Sequence, residues 1–220
     1  MSAGGSAYRV VAIDGPAASG KSSVARALAK QIGFDYVNSG AMYRAVTWHV
    51  LNKRISPGDA LAIVGLLENT RIDCTIEDGG SRILLDGVDP TPHLCDDRVN
   101  EEVSLVSSIP RLREILVEKM RGYAVDHDIV MEGRDIGSVV FPDTPYKFYI
   151  DASPDVRLRR RQAQGLRDQI AARDRADSSR RASPLIIAED AHVIDSSNLT
   201  IEGVVGEIVG RLKMKGFEVR

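Results

Sequence analysis

Residues Val10–Ser23 read VVAIDGPAASGKSS, and this stretch decides the fold. Four apolar residues, Val10 to Ile13, form a short run of the kind that makes a buried strand. Gly15 to Ser22 then follow the pattern G-x-x-x-x-G-K-S of a phosphate-binding loop. From Ser23 to Ile32 the apolar residues Val24, Leu28 and Ile32 recur every fourth position on one helix face, and Gly33 ends the helix. Strand, glycine loop and helix in that order are the context that gives the motif structural meaning. The loop Gly15, Pro16, Ala17, Ala18, Ser19, Gly20, Lys21, Ser22 and Ser23 is expected to cradle a di- or triphosphate at the positive end of the helix with its backbone N–H groups, which every one of these residues except Pro16 supplies. Lys21 would reach the outer phosphates and the Ser22 hydroxyl would ligate Mg²⁺. The loop does not say which acceptor takes the phosphoryl group.

Working outward, 220 residues suffice for one α/β unit with a small insertion. The chain is 43% hydrophobic and 27% charged, with a net charge of −2. That charge argues against broad nucleic-acid binding. Cys74 and Cys95 have no C-x-x-C spacing or nearby histidine pair, which argues against zinc and for two reduced thiols. The amino-terminal MSAGGSAY is too short and polar for a signal peptide, and no apolar run reaches membrane-spanning length. A cytoplasmic protein with a flexible Met1–Ala7 is expected.

After the loop helix, Phe34–Val37 reads as a second strand, and Asn38-Ser39-Gly40 as a turn capping a helix that starts near Ala41. Ala60–Leu67 is again helical. Arg71–Ile76 and Arg82–Leu85 read as two strands around Asp78-Gly79-Gly80, a small β insertion spanning about residues 66 to 95. Leu112, Ile115, Leu116 and Met120 predict a helix over Arg111–His127. Ile129–Met131, Tyr146–Ile150 and Ala191–Ile194 complete five core strands, and Thr200–Leu212 is the last helix. Strands alternating with helical crossovers predict a doubly wound, mainly parallel five-stranded sheet flanked by helices. Glu132-Gly133-Arg134-Asp135 would stand at the carboxyl end of its third strand, where such sheets bind ligands.

Two more stretches bear on chemistry: NSGAMYR, with Ser39, Tyr43 and Arg44, and RDRADSSRRASPL, Arg173–Leu185. An arginine run alone usually makes a solvated helix face. Here acids and hydroxyls interrupt it, and arginine suits phosphate through its planar, permanently charged fork. Together with Arg134 these groups could offset the charge that spreads over a transferring phosphoryl group. The loop alone leaves open a kinase for UMP, AMP or a metabolite hydroxyl. A GTPase-like switch is disfavoured, because no D-x-x-G occurs and Asn52-Lys53-Arg54-Ile55 lacks the aspartate of N-K-x-D.

GPAASGKSS, NSGAMYR, SLVSSIPRLRE, EGRDIGSVVFPD and RDRADSSRRASPL, in that order, resemble the bacterial cytidylate kinases, with EGRD and SLVSSIPRLRE the discriminating stretches. The resemblance runs from Val10 to the carboxyl terminus. It implies the nucleoside monophosphate kinase fold, with a core of residues 8–38, 97–156 and 186–220, a β-rich monophosphate-binding region 39–96, and a short helical lid 157–185. It implies transfer of the γ-phosphate of ATP, with Mg²⁺, to CMP or dCMP by a monomer that has no nucleic-acid or membrane partner. By matching motif, Ser104, Arg113 and Asp135 would read the cytosine, whose amine needs an acceptor and whose N3 and O2 need donors. Arg44, Arg134 and Arg180 would hold the CMP phosphate with Ser39 and Tyr43 nearby, and Asp177 would take a ribose hydroxyl. Arg157, Arg161 and Arg173 would belong to the lid over ATP. Lys21, Arg134, Arg180 and Asp135 would form the catalytic set.

Overall fold

The computed structural model describes residues 9–163, 170–180 and 182–218, without the side chains of 170–173. The expectation for Met1–Ala7 lies outside the described residues. In chain order the elements are β1 (Val10–Asp14), α1 (Lys21–Ile32), β2 (Asp35–Asn38), α2 (Ser39–Asn52), α3 (Ala60–Glu68), β3 (Ile72–Glu77), β4 (Gly80–Leu85), α4 (Asp97–Val106), α5 (Pro110–Tyr123), β5 (Ile129–Gly133), β6 (Tyr146–Asp151), α6 (Pro154–Ala163), α7 (Ile170–Ser178), β7 (His192–Asp195) and α8 (Ile201–Met214).

The strands form one sheet in the order β3-β4-β2-β5-β1-β6-β7. β1 lies between β5 and β6, parallel to both, with Val11 opposite Val130 and Ile13 opposite Phe148. Every residue of β1 is buried, as a strand covered on both faces requires. Alternation sends Val11 and Ile13 toward Val24, Leu28 and Ile32 of α1 and Val204, Ile208 and Leu212 of α8. Val10 and Ala12 point the other way, into a second layer with Met42, Val46, Leu112 and Leu116. The two core layers therefore clamp the strand that carries the phosphate loop.

The mainly parallel α/β fold is as expected, but the sheet holds seven strands rather than five, because the two strands expected in the insertion join the five core strands. The insertion is not a separate β unit. Its antiparallel hairpin β3–β4 adds to the edge of β2 through the pair Tyr36–Gly80, with the Tyr36 N–H donating to Gly79 O at 2.9 Å. Ile72, Ile83 and Leu85 bury their side chains in the second core layer, which welds the hairpin to the domain. The predicted Arg111–His127 helix stops at Tyr123, and α4 was not anticipated. Ile136–Val140 forms a π-helical turn, also unanticipated.

α2 begins at Ser39, capped by Asn38, whose side chain accepts the Ala41 N–H at 3.0 Å. Asn38→Ala should cost about 1 kcal/mol in urea unfolding, the usual worth of such a cap.

Candidate active site

β1, β2 and β5 all end at one edge of the sheet, and a cleft of about 720 Å³ opens there. Ala17–Ser23 line one side of it. Gly15 and Pro16 do not line it, but they set the loop's shape. A Cβ on Gly15 would sit 2.1 Å from Ile150 O, so the loop can leave the sheet here only as glycine. Gly20, at φ 92°, occupies the cap position of α1, and no side chain caps that helix. The first N–H groups of α1 thus face the cleft in the manner of an anion site. Lys21 is buried and donates to Pro16 O at 3.0 Å.

Across the cleft stand Ser39, Tyr43, Arg44, Ser104, Arg134 and the pair Arg113–Asp135. Arg113 Nη2 donates to Asp135 Oδ2 at 2.6 Å, with the two side chains only 3% and 4% exposed. Arg113 Nη1 donates to Ser107 O at 3.0 Å, and its guanidinium lies 4.9 Å from the centre of the Tyr43 ring. Ser39 Oγ donates to Glu132 O at 2.8 Å, which ties the start of α2 to the end of β5. Tyr43 Oη, Arg113 Nε and Arg180 Nε are buried with no hydrogen-bond partner in the structure. Buried polar atoms of this kind are normally satisfied, and three on residues lining one cleft mark a place shaped for a polar ligand. Burial raises the Tyr43 phenol above its ordinary range, so it is neutral and can donate.

The lid side supplies Asp177, Arg180 and Arg161. Asp177 is nearly buried and accepts from Arg134 Nε at 2.8 Å and from Arg180. Arg180 Nη2 also donates to Ser107 Oγ at 3.1 Å. Burial pulls the Arg180 guanidinium below its ordinary range, and Asp177 opposes this. Arg157 departs from the expected arrangement: it does not line the cleft. It donates to Ala152 O, Ala17 O and Asp174, while Asp174 accepts the Ala17 N–H at 3.1 Å. Arg157 therefore joins α6 and α7 to the phosphate loop. The side chain of Arg173 lies outside the described residues.

The sequence profile described as cytidylate kinase matches residues 11–214. The chain is 43% identical over 214 residues to the cytidylate kinase of Pelotomaculum thermopropionicum, covering 92% of this chain and 95% of that one. It is 43% identical over 209 residues to the cytidylate kinase of Caldanaerobacter subterraneus, covering 90% and 92%. The chain belongs to the cytidylate kinase family.

As a cytidylate kinase family member, it carries further site residues that sequence reading missed or, for Arg160, named only as part of the Arg157–Arg161 run of the lid. Arg160 donates to Ser19 O at 3.0 Å and to Ser196 O at 2.8 Å, and Ser196 Oγ donates to Ser19 O at 2.8 Å. Together they brace the back of the phosphate loop. Leu199, Ile201 and Val204 give this end of the cytidylate kinase cleft an apolar wall. Ser107 links Arg113 and Arg180, and its place next to Ser104 in SLVSSIPRLRE was the available signal. Asp14, between an apolar strand and the first loop glycine, was passed over although a buried acid at that point is unusual.

Proposed function

We propose that this cytidylate kinase family protein transfers the γ-phosphate of ATP to CMP or dCMP, giving CDP or dCDP and ADP. The observation that carries the reading is the buried Arg113–Asp135 pair facing the phosphate loop across one cleft. A carboxylate and a guanidinium held side by side offer an acceptor and donors in the order a cytosine edge requires. The same cleft presents arginines for a monophosphate and helix N–H groups for a triphosphate.

In this reading Ala17–Ser23 and Lys21 bind the donor phosphates, with Gly15 and Pro16 shaping the loop. Ser104, Arg113 and Asp135 select the base. Arg44, Arg134 and Arg180 orient the acceptor phosphate, Ser39 and Tyr43 stand beside it, and Asp177 takes a ribose hydroxyl. Arg161 sits on the donor side, and we place Arg173 and Arg157 in the lid, the latter as the tether of α6. The acceptor phosphate oxygen is already an anionic nucleophile, so no general base is needed. Catalysis is in-line positioning and charge neutralisation, by Lys21 and the arginines. Closure of the lid over the cleft would exclude water from the transfer, while the β3–β4 hairpin stays fixed in the core sheet.

Mg²⁺ fits the donor set, since the exposed Ser22 hydroxyl at the cleft is an oxygen ligand. Among the described residues no cluster of three His, Cys, Asp or Glu side chains forms, so the ion would come with the nucleotide phosphates. When bound, it would supply positive charge that offsets the charge on the transferring phosphoryl group. No described helix is long and apolar enough to cross a membrane. We propose a cytoplasmic monomer; the free Cys74 and Cys95 favour the cytoplasmic location.

A coupled ADP-release assay across CMP, dCMP, UMP and AMP tests the reading. CMP and dCMP should exceed UMP and AMP by at least about tenfold in kcat/KM, the scale of one missing polar contact in a buried site. Equal rates with AMP would overturn it. Tyr43→Phe refines it, because the hydroxyl has no partner among the described residues. Thermal stability should hold or rise slightly, while KM for CMP rises about tenfold, as for a lost hydrogen bond to a charged group. An unchanged KM would remove Tyr43 from the acceptor site.

A further inference from the structure

Asp14 belongs neither to the phosphate-loop pattern nor to the lining of the cleft, yet it touches both halves of the site. It ends β1, it is 6% exposed, and Gly15 follows it directly. Its Oδ1 accepts the Ile136 N–H and its Oδ2 accepts the Gly137 N–H, each at 2.8 Å. These two amides open the Ile136–Val140 turn, whose internal bonds run to Asp135 O and Ile136 O from Val140 and Phe141. The turn cannot satisfy its first N–H groups itself, and Asp14 satisfies both. The residue before them is Asp135, and before that stands Arg134.

We propose that Asp14 is a positioning residue for the transfer: its carboxylate clamps the Ile136–Gly137 backbone to the start of the phosphate loop. In doing so it fixes Asp135 and Arg134 relative to the donor phosphates. The clamp rests on the phosphotransferase reading above and adds to it the element that registers one substrate half-site against the other. Gly137 fits this role, since a Cβ there would meet Lys147 Cγ at 3.1 Å and Asp14 Oδ2 at 3.4 Å.

The electrostatics give the clamp a signature. Burial pushes the Asp14 carboxyl up to about 7, the Gly137 and Ile136 N–H groups draw it back, Asp135 adds to the rise, and Lys21 of α1 opposes it. From β6, Tyr149 faces it as a neutral phenol, while the Lys147 ammonium turns away to Asp190 at 2.8 and 2.9 Å. A folded value above the unfolded 3.8 means that the stability linked to this group is complete below 3.8 and lost as pH rises through about 7. The clamp runs the other way. The ionised carboxylate accepts from both amides at full strength; a proton on one oxygen weakens that oxygen as an acceptor and, where it points at the amide, sets an O–H against an N–H. Stability linked to Asp14 therefore falls over the pH range in which clamped, active enzyme accumulates. A carboxylate with a purely structural role would move both in the same direction.

The test compares wild type with Asp14→Asn. In the variant, kcat/KM for CMP should fall about tenfold to a hundredfold, the worth of a bond to a charged acceptor. ADP binding to the loop should change by less than about threefold, since no loop phosphate contact is removed. The acid limb of activity near pH 7 should be present in wild type and absent from the variant. CMP's own phosphate titrates at about 6 in both and cancels. Unchanged CMP kinetics, an equal loss of CMP and ADP binding, or a wild-type acid limb in the variant would each overturn the clamp. If the variant does not fold, wild-type amide exchange decides. Protection of the Ile136 and Gly137 amides should rise about tenfold between pH 6 and pH 8, and a flat profile overturns the proposal. Should wild type fail to phosphorylate CMP, the functional reading falls while the exchange result still judges the clamp.

Discussion

Arg134→Ala is expected to keep the fold and lower kcat with CMP about a thousandfold, the scale of removing a preorganised charge from a transfer site. Arg134 leaves the end of β5 and donates to Asp177 at 2.8 Å, with its side chain 20% exposed to the cleft. Asp177 keeps Arg180 when Arg134 is lost, so no buried carboxylate is stranded and the circular dichroism spectrum should not change. Arg134→Lys should rescue only in part, because an ammonium cannot bridge Asp177 and a phosphate as a planar fork does. Turnover near the wild-type value in Arg134→Ala would remove this residue from the site.

Asp135→Ala should have a double effect. Arg113 would remain a buried guanidinium without its counter-ion, and breaking such a pair costs about 3–5 kcal/mol, readable in urea unfolding. In the folded fraction, kcat/KM for CMP should fall about a hundredfold while UMP falls less, because the acceptor for the cytosine amine is gone. ADP binding should be little altered. An unchanged CMP-to-UMP ratio would mean that the pair is architecture alone, with base selection written elsewhere.

The phosphate loop and its helix were legible in sequence because their signals are local. A glycine forced by Ile150 O, a lysine and a four-residue apolar spacing all lie within Val10–Ile32. The attachment of β3–β4 to β2 was not legible, since an edge pairing joins residues far apart in sequence and leaves no periodic trace. α4 was missed because Val99, Val103 and Val106 make a thin apolar stripe in a polar segment. The Ile136–Val140 turn depends on an acceptor more than 120 residues upstream. Arg157 illustrates the remaining limit: a run of arginines does not reveal which of them turn toward the cleft and which toward main-chain carbonyls.

Asp177, bracketed by Arg134 and Arg180, has a consequence for how the cleft answers to salt. Asp177 takes up one of the two guanidinium charges, so the trio faces the cleft with one positive charge to spare. A bound monophosphate would offset that charge in a largely buried setting, where screening by dissolved ions is weak. Raising ionic strength should therefore slow the arrival of the monophosphate more than it hastens departure. The carboxylate that holds the two arginines together also sets how much of their summed charge is left for a guest.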